Sequence, residues 1–486
     1  MNPLQDAAAA GAKTLVDAHP PLTVAQALVE SERCYYCFDA PCVAACPTGI
    51  DVPSFIARIA QGNLHGAAKT ILQANPLGGM CARVCPTEAL CEQACVRHTN
   101  EDKPVEIGRL QRVATDAYFA SVFDKPVAKP GAQPVAKPAA PLFARAADTG
   151  RCIAVVGAGP AGLACAHGLA CHGHRVVLFD ARPKLGGLNE YGIASYKTTG
   201  GFAQQEVQWL LSIGGIEVRS EQQLGRDITL DGLRADFDAV FLGLGLAGVN
   251  ALGIDEPVAD GLRAAVDFIA DLRQADDLSQ LTVGRHVVVI GGGMTAVDAA
   301  VQARMLGAQT ATIVYRRGAA AMPASQHEQD WAQTQGVLIR HWAAPLAVLS
   351  EERPGLSPRV TGMRFASTTL RDGQLVHSGE EFDLPADMVL RAIGQNYLPE
   401  AATSNPALRL KGGRIETDAQ GRSSVPGVWA GGDCRYGGRD LTVEAVEHGK
   451  VAAQAMHAAL TASRTASPRA SPPVSSKATV TASPGA

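Results

Sequence analysis

The sequence is poor in aromatic residues, at 5%, and its charges nearly cancel to a net −4. It therefore offers no basic face for nucleic acid. No uninterrupted apolar run approaches the ~20 residues needed to span a bilayer, and the opening MNPLQDAAAA lacks the charged start, apolar core and cleavage site of a secretory signal. A soluble cytoplasmic protein, bound neither to membrane nor to nucleic acid, is expected. After residue 100 there is no C-x-x-C, which argues against a dithiol mechanism there. No nucleophile, base and orienting acid are spaced as a triad, so no residue is assigned a catalytic role. The four cysteines of this region, Cys152, Cys165, Cys171 and Cys434, read as core thiols. His167, His172 and His174 read as surface or helix-end residues.

Cysteine is instead concentrated near the start. Eight of the twelve lie in Cys34-x2-Cys37-x4-Cys42-x3-Cys46-Pro47 and Cys81-x3-Cys85-Pro86-x5-Cys91-x3-Cys95. Soft thiolates in interleaved runs, each with a Cys-Pro step, suit iron–sulfide cores, and two [4Fe–4S] clusters are the reading. Zinc in paired tetrahedral sites is the rival, and disulfides would need an oxidising compartment. Around these runs, Thr23 to Cys34, Val52 to Ala74 (broken at Gln61-Gly62-Asn63) and the stretch from Val105 show helical periodicity. Residues 23–120 should form a small helical unit, its core partly replaced by metal. Residues before it should cap or fray.

A chain of 486 residues exceeds one ordinary domain, and about three units are expected. Residues 124–148 are rich in Pro, Ala and Lys without hydrophobic period and read as a linker. Beyond residue 460 the tail 461–486 is Ser, Pro, Ala and Thr, too poor in apolar bulk to order itself.

Between them stand two dinucleotide-binding patterns. Arg151 onward reads strand, glycine turn, helix, strand, with Gly157, Gly159 and Gly162 at G-x-G-x-x-G spacing and Asp180 closing the second strand to meet a ribose hydroxyl. Pyrophosphate would rest on the helix starting near Pro160. The second pattern has Gly291, Gly293 and Ala296, but its second strand ends in Arg316-Arg317. Guanidinium groups there suit the 2′-phosphate of NADP, unless they are solvated surface charge. Two such turns imply FAD and a nicotinamide coenzyme. In VPGVWAGGD, Gly432 and Asp433 follow a strand. That acid would bond the flavin's ribityl or phosphate end, and the helix from Thr442 would aim its N-terminus at the isoalloxazine. The fold class expected is α/β: a helical two-cluster domain, then a discontinuous FAD domain (151–250 and 386–460) with an NAD(P) domain (251–385) inserted.

The cysteine runs, Gly157 to Gly162, Leu185-Gly186-Gly187-Leu188, Gly291 to Gly293 and Ala430 to Asp433, in this order, resemble the family of the glutamate synthase small subunit and the N-terminal half of dihydropyrimidine dehydrogenase. The resemblance covers about residues 23 to 460. Ile107-Gly108-Arg109-Leu110-Gln111 and Glu190 to Lys197 are most similar to the flavin subunits of bacterial NAD-dependent dihydropyrimidine dehydrogenase. It implies that Cys34, Cys37, Cys42 and Cys95 hold one cluster, and Cys46, Cys85, Cys91 and Gln111 the other. Cys81 is then left out, although an exchange of Cys81 and Gln111 stays open. It also lays Gly187 and Leu188 along the flavin. Relatives named for NAD carry an arginine near the Arg316 position, so Arg316-Arg317 leaves the coenzyme undecided. The function implied is passage of electrons from NAD(P)H through FAD and both clusters to a separate FMN-containing subunit, where uracil or thymine is reduced. Two rivals stand beside it: service to a glutamate synthase large subunit, and a nucleotide-binding electron-transfer or assembly module without turnover.

Overall fold

The computed structural model describes residues 15–123, 142–398 and 407–462. Most of the expected linker and nearly all of the expected tail lie outside them.

The N-terminal unit is helical, and polar side chains mark where its helices begin. Thr23 and Gln26 form a capping box for α1 (Val24–Ser31). Asp51 accepts from the Ser54 N–H to start α2 (Val52–Ala60), and Asn63 accepts from Gly66 to start α3 (Leu64–Ala74). Next come α4 (Gly78–Val84) and α5 (Ile107–Phe123). Phe55, Ile56, Ile59, Ile71 and Leu110 form their core, and Cys34, Cys42, Cys46, Cys91 and Cys95 pack on its edge. The described residues before α1 are anchored rather than frayed. Asp17 pairs with Arg112, and the Ala18 N–H donates to the Tyr196 carbonyl at 3.0 Å.

Two parallel five-stranded sheets follow. The first is ordered β13-β4-β1-β2-β3, from β1 (Cys152–Val156), β2 (Arg175–Phe179), β3 (Ile216–Arg219), β4 (Ala239–Leu242) and β13 (Val428–Ala430). The second is ordered β5-β12-β6-β7-β8, from β5 (Leu262–Ala264), β6 (His286–Ile290), β7 (Thr310–Tyr315), β8 (Leu338–His341) and β12 (Met388–Arg391). An antiparallel meander of β9 (Ala343–Arg353), β10 (Leu356–Arg371) and β11 (Gln374–Pro385) precedes β12. Sequence periodicity gave no sign of it.

One boundary is corrected. The sequence reading assigned 386–460 to the first nucleotide unit, but β12 pairs with β5 and β6 in the second sheet. Asp387 fixes that register, its carboxylate accepting from the N–H groups of Arg285 and His286 at 3.0 and 2.9 Å. The chain recrosses just after β12, where Gln395–Asn396 pairs antiparallel with Gly248–Val249.

Helix α6 (Pro160–Cys171) follows β1 and crosses the last helix, α10 (Thr442–Ala462), at Gly449. A Cβ there would stand 2.1 Å from the Ala161 carbonyl, so only glycine permits the approach. Three further helices are α7 (Phe202–Leu211), α8 (Ala265–Gln274) and α9 (Met294–Met305). No helix among the described residues is long and apolar enough to cross a membrane.

Two histidines are not where the sequence reading put them. His174 is fully buried, bonded to Thr149 Oγ1 at 2.7 Å and to His457 at 2.9 Å, and His167 is buried against Phe143 and Trp209. Residues 142–148, expected as linker, supply part of this cover. The Ala146 N–H donates to the Cys171 carbonyl at 3.0 Å.

Candidate functional site

The first glycine turn is built from within. Gly157 has φ +95° and a Cβ there would meet the Gly243 carbonyl at 2.2 Å, while a Cβ on Gly162 would stand 1.7 Å from the Gly157 carbonyl. Gly159 differs: its φ is −76° and the nearest atom to a Cβ is 3.8 Å away. Neither backbone nor packing demands glycine at that position, so its bareness leaves room for a body that comes close from outside the chain, as a pyrophosphate does. The second turn repeats the arrangement. Gly291 has φ +145° and faces the Ala392 carbonyl, Ala296 is buried, and Gly293, at φ −90°, has nothing within 4 Å of a Cβ.

Around the first turn the structure gathers the other residues singled out for flavin. Asp180 Oδ2 accepts the Ala158 N–H at 2.7 Å, tying the end of β2 to the turn, and burial raises its carboxyl above the ordinary value. The Gly186 N–H donates to the Ala158 carbonyl at 2.8 Å, and Gly187 comes so close that a Cβ would sit 2.7 Å from Gly159 Cα. Leu188 keeps 37% of its surface exposed. Gly432 lies over Ala161, at the first turn of α6. Asp433 beside it is pushed up to about 6, chiefly by burial and then by Asp440.

Thr442 Oγ1 donates to Asn189 Oδ1 at 2.9 Å, joining the start of α10 to the short helix Leu188–Tyr191. Asn189 Nδ2 is buried with no acceptor among the described residues. A buried amide donor left so, beside a half-exposed leucine and a bare glycine turn, fits a site completed by a polar aromatic group such as isoalloxazine.

Sequence reading missed Asn189 and His448. The latter takes the Gly432 N–H on Nδ1 at 3.2 Å, and burial lowers it to about 4, so it is a neutral acceptor. The spacing from AGGD to EHG was the only available signal.

In the second unit, Arg316 and Arg317 follow β7 directly, are exposed, and have no side-chain partner among the described residues. The Gly291 N–H donates to the Val314 carbonyl, which brings turn and arginines to one sheet edge.

Seven of the eight N-terminal thiols fall into two groups, and Cys91 packs on the edge of the helical core. Cys34, Cys37, Cys42 and Cys95 wall one pocket with Ile56 and Ile107. Cys81 lies with Leu90 and Val443, and Cys46 and Cys85 pack against them. Among the described residues no three His, Cys, Asp or Glu side chains converge on a point for a single ion. Thiols spread round a pocket suit a polynuclear body. Burial pushes Cys42 up to about 12 and raises Cys91, while hydrogen bonding to Cys81, then burial, raises Cys85. Such thiols become thiolates only when cationic metal reverses the balance. Gln111 is buried, and its Nε2 donates to the Gly78 carbonyl at 2.7 Å, which leaves Oε1 for a metal. Cys81 thus lies on α4 itself, and Gln111, on α5, bonds to the first residue of that helix.

Of the thiols beyond residue 150, Cys152, Cys165 and Cys434 are buried as core and Cys171 is half-buried. Cys165 is fully buried with its pKa raised by burial, and Cys434 donates to the Gly431 carbonyl at 3.3 Å. None of the twelve is in a disulfide.

Comparison with known proteins agrees with this layout. A family model described as pyridine nucleotide-disulphide oxidoreductase matches residues 151–449, and one described as dihydropyrimidine dehydrogenase domain II, 4Fe-4S cluster, matches residues 12–122. The chain is 34% identical over 438 residues to the NAD-dependent dihydropyrimidine dehydrogenase subunit PreT of Salmonella typhimurium, covering 90% of this chain and 95% of that one. It is 32% identical over 469 residues to the glutamate synthase [NADPH] small chain of Escherichia coli, covering 91% and 93%. Two solved structures share the fold. T. acidophilum thioredoxin reductase matches with TM-score 0.51 and 20% identity, covering 64% of this chain and 99% of that one. Mycobacterium tuberculosis FprA in complex with NADPH matches with TM-score 0.54 and 19% identity, covering 66% and 87%.

Proposed function

Because the chain belongs to the pyridine nucleotide-disulphide oxidoreductase family, with a dihydropyrimidine dehydrogenase-type 4Fe-4S domain ahead of that region, we propose that it is the electron-input subunit of a dihydropyrimidine dehydrogenase. Its partner in this reading is an FMN-containing, PreA-like subunit, at which the 5,6 double bond of uracil or thymine is reduced, or the reverse reaction runs. When bound, FAD links the two-electron chemistry of a nicotinamide to the one-electron chemistry of iron–sulfur clusters.

The chain's own residues hold and space these groups. Gly157, Gly159, Gly162 and Asp180 bind the dinucleotide of FAD; Gly187, Leu188, Asn189, Asp433 and Thr442 line its ring-bearing end. Gly291, Gly293, Ala296, Arg316 and Arg317 take NAD or NADP. Cys34, Cys37, Cys42 and Cys95 hold one [4Fe–4S] cluster, and Cys46, Cys85, Cys91 and Gln111 the other.

One observation carries the reading: Cys81 and Leu90 of the thiol unit share a buried cluster with Val443, the second residue of α10, and Cys46, Cys85 and Leu441 pack on it. The second thiol group therefore abuts the element whose first residue, Thr442, lines the flavin site. Lys450 Nζ donates to the Thr48 carbonyl at 3.5 Å, holding the same two units together farther along α10.

Anaerobic titration with NADH and with NADPH tests the input half: the flavin absorbance bleaches with the preferred coenzyme, and a protein that stays yellow with both is not an input subunit. Identification of the co-purifying partner tests the output half. FMN with uracil reductase activity supports the proposal. Glutaminase activity instead would make the chain a glutamate synthase small subunit, a role the 32% identity to that chain also favours.

A further inference from the structure

Trp342 stands between β8 and β9 at φ +59°, a left-handed conformation that a bulky residue rarely adopts. Two hydrogen bonds impose it. The Trp342 N–H donates to the Arg317 carbonyl at 3.2 Å, and its own carbonyl accepts from the Thr368 N–H at 2.8 Å. Thr368 Oγ1 in turn donates to the Arg316 carbonyl at 2.8 Å. The meander is thus stitched to the backbone of Arg316 and Arg317, and the strained residue is fixed beside them.

The indole lies against Gly318, where a Cβ would come within 2.7 Å of the ring, yet 38% of Trp342 stays exposed. A tryptophan whose only task was to cover the sheet edge would be better buried and need no unusual backbone. Here an aromatic surface is held open beside the backbone of two exposed arginines, Arg316 and Arg317, whose side chains lack partners among the described residues. All of this sits at the edge where the Gly291 N–H meets the Val314 carbonyl. An open aromatic face next to paired cationic forks has the chemistry of a receptor for a planar base joined to a phosphate-bearing sugar.

We propose that Trp342 is a positioning residue for the nicotinamide coenzyme, its indole serving as the platform for the adenine while Arg316 and Arg317 take the adjoining ribose or its phosphate. This rests on the second glycine turn being the coenzyme site.

The test is calorimetric titration of the anaerobic holoenzyme with 2′,5′-ADP and with 5′-AMP, which carry the adenine end but cannot donate electrons. Wild type binds at least one of them. Trp342→Ala weakens that binding about tenfold, the scale of one base stacked on an aromatic ring. Trp342→Phe restores most of it, with FAD content and melting temperature unmoved. If Trp342→Ala does not fold, Trp342→Leu against Trp342→Phe decides, since leucine supplies apolar cover without a π face. Equal affinity of the leucine or alanine variant and wild type overturns the proposal. Failure of wild type to bind either nucleotide overturns the coenzyme-site reading beneath it.

Discussion

Glu206, on α7, accepts the N–H of Gly79 at 2.8 Å and of Met80 at 3.1 Å, so a carboxyl from the first sheet's layer caps the helix that leads to Cys85. Gly79 admits nothing larger, since a Cβ would stand 2.5 Å from the Phe202 ring. Arg83 completes the joint, its guanidinium 3.4 Å from the centre of that ring and bonded to Asp116 at 2.6 Å.

Burial pushes the Glu206 carboxyl up to about 8, against the pull of both N–H groups and Arg83. The folded chain therefore keeps a proton that an unfolded glutamate, with pKa ~4.3, has already released. Stability should fall as pH rises between about 4.5 and 8, and this contribution should be flat outside that window. Denaturant midpoints across the window should lose this slope in Glu206→Gln. Glu206→Leu, which strands two buried N–H groups, should cost about 1–3 kcal/mol. An unaltered slope in the glutamine variant would contradict the account.

The two turns predict opposite outcomes for chemically identical substitutions. Gly162→Ala should abolish folding of its domain, because its Cβ has 1.7 Å to the Gly157 carbonyl. Gly159→Ala and Gly293→Ala meet nothing closer than ordinary contact and should melt as wild type does. Gly159→Ala should lose FAD on dialysis, and Gly293→Ala should retain FAD but bind the coenzyme weakly. Tight FAD retention by Gly159→Ala would show that nothing approaches that glycine.

Iron and acid-labile sulfide analysis separates Cys81 from Gln111. With Gln111 Nε2 fixed on the Gly78 carbonyl, its oxygen would be the ligand atom in the proposed set, so Gln111→Ala should lose iron while Cys81→Ser keeps the wild-type content. The reverse result would exchange their roles. Cys42→Ser should remove iron from the other group alone.

Lys197 pairs with Asp298 at 2.9 Å and Glu328 at 2.8 Å, all three largely buried, and Tyr196 OH donates to Asp298 at 3.0 Å. This network joins the loop after Leu188 to α9 of the coenzyme unit. Lys197→Met should cost about 3–5 kcal/mol in chemical denaturation, because two buried carboxylates would then face each other without a cation. A loss below about 1 kcal/mol would mean that the network is wet and contributes little.

What the sequence determined by itself was local chemistry. Gly157, Gly291 and the strands before them, the Asp180 and Arg316 strand ends, and the cysteine spacings are set within a few tens of residues, where turn sterics and ligand spacing leave their mark. Tertiary structure alone decided who meets whom across the chain: Glu206 on Gly79, Asn189 between Thr442 and Arg273, and Met388–Arg391 in the second sheet rather than the first. It also buried His167 and His174 and bent Trp342 into its strained turn. A lone polar residue carries no periodicity, and its role is fixed by the partner that burial forces it to find. That partner here lies from about 80 to more than 250 residues away.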